Sequence, residues 1–411
     1  PDPSGGVLGR TRCNCGRVNW PRGPGGAACA ANPSGQQDGA SFVTIPRVLF
    51  ISHSSELLGA ERSLLTSIEY LRSSLEISIL CPRSGPLVDA LRRLDVSVGT
   101  QSMPWWLARR NGWPMFLSRV AQASSAHHGL MRRVESLGPD LVYTNSLVTP
   151  TGAIVAKRLG LPHIWHVREL VTGNGSLRSP LSDSQIYTRV KAWSCAVACN
   201  SAAVQGVLNT HGIQAEILPN PVTVPLTGQT GPLPGRAPHL LVVGTLSEAK
   251  GQRVAIEALR YFPRDVLPTL HLVGEGPAPY VAELRRLASD LGLREQVTFH
   301  GFQASPGDFF LQADLVIVPS AAEAFGRTAI EALMMHKRVI GSDAGGLTEL
   351  LPRTARFAAG DPESLAAVAV AALAARDSPS EDETLIARHD PANAARLQLE
   401  FIRATLNRRC P

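Results

Sequence analysis

Two glutamates eight residues apart, Glu323 and Glu331, follow directly on the apolar run Leu315–Pro319 and flank the pair Phe325-Gly326. The run predicts a buried strand, with Glu323 in the loop after it and a helix opening near Gly326 or Arg327. The first backbone N–H groups of such a helix, around Arg327 and Thr328, have no partner within the helix. Together with the positive end of its dipole they make a seat for phosphate. Glu331, one turn further on, is near enough to bond a neighbouring sugar hydroxyl, and Glu323 reaches another part of the same ligand. Taken singly, Glu323 reads as well as a cap and Glu331 as a solvated helix residue.

A second group lies at the end of the apolar run Leu240–Val243, in Gly244-Thr245-Leu-Ser-Glu-Ala-Lys250-Gly251. An ammonium at Lys250 can rest on a diphosphate and stabilise the charge that grows on a leaving group; otherwise it is a surface lysine. The loop Gly274-Glu-Gly276-Pro277 has Pro279 where a dinucleotide fingerprint needs its third glycine, so NAD chemistry has no support. In the first half of the chain, Gly59 precedes a helical pattern directly after an apolar run. His166 ends the run Ile164–His166 and is followed by Arg168. A lone histidine is often structural, but ligands collect at the carboxyl ends of strands in open α/β sheets.

The elements that must carry these groups are legible from Pro46 onward. Apolar runs at 47–52, 77–81, 141–145, 163–167 and 196–200 alternate with helical patterns, the first helix spanning about 60–72. Runs without polar alternation predict parallel strands covered on both faces, hence a doubly wound α/β fold. The stretch 222–238 holds four prolines and three glycines and reads as a linker. Strands then recur at 240–243, 270–273, 297–300, 315–319 and 339–342. The expected organisation is an extension at 1–45, an acceptor-side domain at 46–225, a linker at 226–238, a nucleotide-sugar domain at 239–390 and a helix at 391–411 packing back on the first domain.

Bulk properties narrow the class. With 411 residues, 44% hydrophobic and 18% charged, the chain is long enough for two cores. No run reaches the ~18 apolar residues of a membrane span. The net charge of +6 divides as +2 for 1–45 (4 basic, 2 acidic), +6 for 46–225 (17 and 11) and −2 for 226–411 (19 and 21). The basic half reads equally as a solvated face or as a surface for an anionic partner. No nucleic-acid module coincides with it, so nucleic acid is not an expected partner. Seven scattered cysteines offer no zinc spacing, and Cys195 and Cys199, four apart in one strand, are too distant to pair with each other. They point to a reducing, cytoplasmic compartment.

The E-x7-E spacing with its Phe-Gly, followed by Gly345-Gly346-Leu-Thr-Glu349, resembles the donor site of retaining GT-B glycosyltransferases, in particular glycosyltransferase family 4. That resemblance implies two facing Rossmann-like domains and a nucleotide-sugar donor, UDP- or GDP-linked, with no metal or other cofactor. It also implies retention of configuration, the leaving phosphate directing the acceptor. It assigns Glu323 to the donor sugar, Glu331 to the ribose, and the backbone of Gly326, Arg327 and Thr328, beside Phe325, to the diphosphate. Lys250 with Gly244 and Thr245 joins them, and Gly274 and His300-Gly301-Phe302 lie near the base. Gly59 and His166 face the donor from the other domain, and Arg168 falls on the acceptor side. Catalysis is expected of His166, Glu323 and Lys250. The sequence departs from the family in three places. Thr245 stands for an arginine, leaving Arg253 or Arg327 to supply the charge. Ala60 stands for a glycine, and Met335-His336-Lys337-Arg338-Val339 stands where the family usually has a Gly and a Pro.

The implied activity is transfer to a glycan, lipid-linked or other glycoconjugate acceptor in bacterial cell-surface polysaccharide synthesis. A nucleotide-sugar epimerase, a phosphorylase or a non-catalytic binder on the same fold are the alternatives. The stretch Trp105-Trp106-Leu-Ala-Arg109 interleaves aromatic and basic residues. It reads either as an interfacial segment that holds the protein peripherally at the inner face of an anionic membrane or as a partly buried cover of the sheet.

Overall fold

The computed structural model describes residues 45–109, 129–172, 177–228, 231–235, 238–303, 305–375 and 383–408. The extension up to Thr44 and the aromatic positions from Trp113 to Phe116 lie outside them. Two parallel sheets carry the fold. The first holds β1 (Arg47–Ser52), β2 (Glu76–Cys81), β3 (Ser97–Thr100), β5 (Leu141–Asn145), β6 (His163–Val167), β8 (Ala196–Cys199) and β9 (Glu216–Ile217), in the order β3-β2-β1-β5-β6-β8-β9. The second holds β10 (His239–Val243), β11 (Thr269–Val273), β12 (Val297–Gly301), β13 (Leu315–Val318), β14 (Val339–Ser342) and β15 (Arg356–Phe357), in the order β12-β11-β10-β13-β14-β15. A two-stranded ribbon pairs β4 (Ala108–Arg109) with β7 (Leu177–Arg178).

Each strand of the first sheet sends successive residues to opposite faces, and both faces are covered. Val48 and Phe50 pack with Leu64, Ile68 and Tyr143 on one side. Leu49 and Ile51 pack with Val142, Val155 and Ala156 on the other. Full burial of such a side chain is worth about 1.5–3 kcal/mol, which is why these runs lack polar alternation. The last helix, Pro391–Leu406, is capped by Asp390, whose carboxylate accepts from Ala392 N and Asn393 N at 3.0 and 3.1 Å. Its Ala395 and Ile402 enter the core of the first sheet.

In both sheets the strand order reverses once, between β1 and β5 and between β10 and β13. At such a switch point the following loops leave in opposite directions and open a crevice. The segments that follow these strands are the ones singled out by residue chemistry: Gly59, Gly244 to Lys250, and Glu323.

Three buried histidines make the fold acid-sensitive. Burial pushes His163 down to about 3, against a carbonyl of Trp193 that favours the charged ring. Burial likewise lowers His271 and His389 to about 4. All three are neutral in the folded chain, whereas in the unfolded chain each takes up a proton near pH 6.5. Between about pH 3 and 6.5 the unfolded chain therefore binds more protons, and stability rises with pH across that window. We expect Tm to fall progressively from pH 7 to pH 4.5, as the free energy of unfolding drops by up to ~1.4 kcal/mol per pH unit for each histidine. A flat Tm over that range contradicts this account.

Candidate functional site

At the switch point of the second sheet, the loop after β10 turns through Glu248–Lys250 and brings Lys250 Nζ to 2.6 Å from Glu323 Oε2. Glu323 Oε1 accepts from Gly326 N at 3.2 Å. Burial alone would raise the carboxyl of Glu323. The Lys250 charge and hydrogen bonds from Lys250, Ser320 and Gly326 outweigh it, and its pKa lies below the usual range. Glu323 is thus held ionised, capping its turn and pairing with the lysine at once.

Gly345 lies against this loop at φ +53°, where a Cβ would meet the Glu323 carbonyl oxygen at 2.0 Å. Gly346 N donates to the same oxygen at 2.8 Å. Gly274 packs equally tightly on the Lys250 loop, a Cβ there meeting the Gly244 carbonyl at 2.0 Å. Glycine is required at both positions.

Gly326 precedes the helix Arg327–Met334, whose first N–H groups open beside Glu323. Thr328 Oγ1 donates to the Val243 carbonyl at 3.4 Å, tying the helix to the end of β10. Glu331 is buried, 6% exposed, and its Oε1 accepts from Arg327 Nε at 2.8 Å; it is not a solvated residue. Phe325 is also buried and rests against His389. Thr245 directs its carbonyl to Gln252 Nε2 at 3.0 Å.

The first sheet offers His166 and the Gly59 turn. His166 is 2% exposed. Its Nδ1 lies 2.6 Å from Tyr143 Oη and 3.3 Å from Arg168 Nη2. A guanidinium only donates, so Nδ1 is the acceptor and the ring proton resides on Nε2. Burial, then the Arg168 charge, keeps the ring neutral. Nε2 has no hydrogen-bond partner among the described residues, which leaves a buried N–H donor at the end of β6. Next to it, Ser146 adopts a strained φ of +144°, and its hydroxyl donates to Glu169 Oε1 at 2.5 Å. Strain of this kind gathers at functional sites, and Ser146 stands at the switch point.

The two halves touch through specific polar contacts. Arg327 Nη1 donates to Ser63 Oγ at 2.9 Å, in the helix Gly59–Leu71. Ser201 Oγ donates to the Ala324 carbonyl at 2.5 Å. Glu349 accepts from Ala202 N and Ala203 N at 2.8 and 2.7 Å. These are the first amides of the helix Ala202–Thr210, so a carboxylate of one sheet's domain caps a helix of the other. Losing a cap costs about 1 kcal/mol. We expect Glu349→Ala to speed hydrogen exchange at Ala202 and Ala203 relative to the rest of that helix; unchanged protection contradicts the contact.

Several expectations need correction. Arg168, expected on the acceptor side, is 6% exposed, donates to Asn145 Oδ1 at 2.7 Å and to Asn220 Oδ1, and reaches His166 Nδ1 with its Nη2. Trp106 does not face a membrane: its ring stacks on Trp165 at 5.4 Å and its Nε1 donates to the Leu147 carbonyl. Burying two stacked indoles outweighs presenting one to solvent. Trp105 is half-buried, its ring 6.2 Å from that of His53. Arg109 is a strand residue of the β4–β7 ribbon. Arg253 supplies no second charge beside Lys250, because Glu257 and Glu283 engage it. His336 takes the left-handed conformation, φ +56°, that the family's glycine would take without strain.

Among the described residues no helix is long and apolar enough to cross a membrane. No cluster of three His, Cys, Asp or Glu there could hold a metal ion.

Comparison with known proteins agrees with this geometry. Residues 58–224 match the family model of Glycosyltransferase Family 4, and residues 229–387 that of Glycosyl transferases group 1. A D-inositol 3-phosphate glycosyltransferase of Xylanimonas cellulosilytica is 31% identical over 143 residues, 33% of this chain and 34% of that protein. One from an Arthrobacter species is 24% identical over 237 residues, 52% and 56% of the two chains. The chain thus spans a third to just over half of the length of these relatives. Among solved structures, Anabaena Alr3699/HepE in complex with UDP-glucose superposes with a TM-score of 0.70 at 21% identity, covering 87% of this chain and 99% of that one. WaaG, a glycosyltransferase involved in lipopolysaccharide biosynthesis, gives 0.58 at 16% identity over 86% and 95%.

Proposed function

The chain belongs to glycosyltransferase family 4, the group 1 glycosyl transferases, and on that premise we propose that it transfers a sugar from a nucleotide diphosphate donor with retention of configuration. The observation that carries this reading is the convergence of Lys250, ionised Glu323 and the start of the helix Arg327–Met334 at one switch point. A cation and free N–H groups suit a diphosphate. The adjacent carboxylate suits sugar hydroxyls, and Glu331 suits a ribose.

In this reading the diphosphate draws on Lys250 and on the amides around Arg327 and Thr328. Those donors stabilise the charge that develops as the glycosidic bond breaks. His166 Nε2–H, buried and aligned by Tyr143 and Arg168, donates to the donor from the opposite sheet. Being neutral, it contributes a dipole whose strength does not change between pH 6 and 8. No step requires a metal ion.

UDP is the first nucleotide to try, because Anabaena Alr3699/HepE was solved with UDP and UDP-glucose. The acceptor class is a glycan, a lipid-linked sugar or another glycoconjugate of bacterial surface polysaccharide synthesis, with a polyol phosphate suggested by the names of the curated relatives. A thermal-shift panel of UDP-, GDP- and ADP-sugars tests the reading. A ligand at about 100 times its Kd stabilises the fold by about 2.7 kcal/mol, so one donor class should raise Tm clearly. No shift with any of them would remove the proposal.

A further inference from the structure

At the switch point of the first sheet a buried glutamate faces a half-buried histidine, neither of which has been assigned to the donor above. His53 directly follows β1, and Glu61 stands in the first turn of the helix Gly59–Leu71. Glu61 is 2% exposed. Its Oε1 and His53 Nδ1 face each other at 3.6 Å, beyond hydrogen-bond reach. Neither atom has a hydrogen-bond partner among the described residues. A buried polar atom left unpaired costs roughly 1–3 kcal/mol, and such groups call for an explanation. Burial raises the Glu61 carboxyl above its usual range, against the pull of His53 and of a hydrogen bond from its own backbone N–H.

We infer that His53 and Glu61, beside the ring of Trp105, form the acceptor subsite and hold a hydroxyl group of a neutral polyol ring, a pyranose or a cyclitol. An oxygen about 2.8 Å from both atoms fits their separation. That hydroxyl donates to the Glu61 carboxylate and accepts from His53 Nδ1–H, satisfying both groups at once. The Trp105 ring, 6.2 Å from the imidazole, offers an apolar face to the C–H face of such a ring. A phosphate does not suit the position, since the carboxylate repels it.

The subsite rests on the donor reading above for its purpose, because an acceptor must sit opposite a donor. It lies on the segment that touches the donor helix: Gly59 is 3.8 Å, measured from an added Cβ, from Arg327 Cδ, and Ser63 accepts from Arg327.

The test is a tryptophan-fluorescence titration of the full chain with myo-inositol, methyl α-D-glucopyranoside and inorganic phosphate, each with and without saturating UDP. At least one polyol should give a saturable change, the lower midpoint identifying the ring. Glu61→Ala and His53→Ala should each raise that midpoint ten-fold or more, while phosphate gives none. A retained UDP-induced Tm shift shows that either variant is folded. Unchanged midpoints in both variants, no response to either polyol, or a response to phosphate that Glu61→Ala abolishes would overturn the inference. If UDP fails to bind the wild-type chain, the donor reading falls, and the titration without UDP still decides the subsite.

Discussion

Glu323→Gln is expected to lower sugar transfer by roughly 10²–10³-fold, the size of effect seen when one preorganised transition-state contact is removed. The substitution keeps the shape of the side chain, and its amide oxygen can still accept from Gly326 N, as Glu323 Oε1 does at 3.2 Å. What it removes is the charge opposite Lys250 Nζ, 2.6 Å away. That charge is secured by the surroundings, since the lysine and two further hydrogen bonds, from Ser320 and Gly326, overcome the cost of burial. The loss should appear in kcat together with a raised KM for the donor, read as release of nucleoside diphosphate in the presence of acceptor, with Tm little altered. A loss under three-fold would mean that Glu323 only caps its turn.

The second large effect is on stability. Arg327 and Glu331 are paired at 2.8 Å with side chains 13% and 8% exposed. Arg327→Met leaves the Glu331 charge buried without its partner, which costs about 3–5 kcal/mol. It also removes the bond to Ser63 Oγ across the two halves. At about 2–4 °C per kcal/mol for a chain of a few hundred residues, Tm should fall by roughly 6–20 °C. Replacing both partners removes the uncompensated charge, and such replacements are often neutral. The double variant Arg327→Met with Glu331→Leu should therefore recover most of the lost Tm and still not bind donor, since the ribose contact is gone. A single variant as stable as wild type, measured by calorimetry, contradicts the assignment.

The central strands were legible because they are buried on both faces. β1, β5, β6 and β14 have the bounds expected from their apolar runs, and the other expected strands differ by a residue at one end. The edges were not. β3, Ser97–Thr100, carries a glycine and an exposed serine, and β9 and β15 are two residues long, too short for any period. The grouping of Lys250, Glu323 and Gly326 was legible because these residues follow strands within a few positions.

What links the two halves was hidden, because it depends on packing between distant segments. Ser63 and Arg327 are 264 positions apart, and Ala202 and Glu349 147. Arg168 illustrates the same limit. Its position after His166 was clear, but only the fold shows that Asn145 and Asn220 turn it inward. The Trp105-Trp106 pair left two readings open because alternating exposure along an irregular segment cannot be read from residue type. The stack of Trp106 on Trp165 decides which of the two is core.

The central claim is the division of labour between Glu323 and Glu331. It is tested most directly by calorimetric titration of UDP and UDP-glucose into the wild type, Glu323→Gln and Glu331→Ala. GDP and GDP-mannose replace them if the wild type prefers guanine. The account predicts that Glu323→Gln binds the free nucleotide as wild type does and loses the extra affinity contributed by the sugar, whereas Glu331→Ala loses affinity for both ligands alike. Equal weakening of nucleotide and nucleotide sugar by Glu323→Gln, or no effect of Glu331→Ala on either, would contradict it.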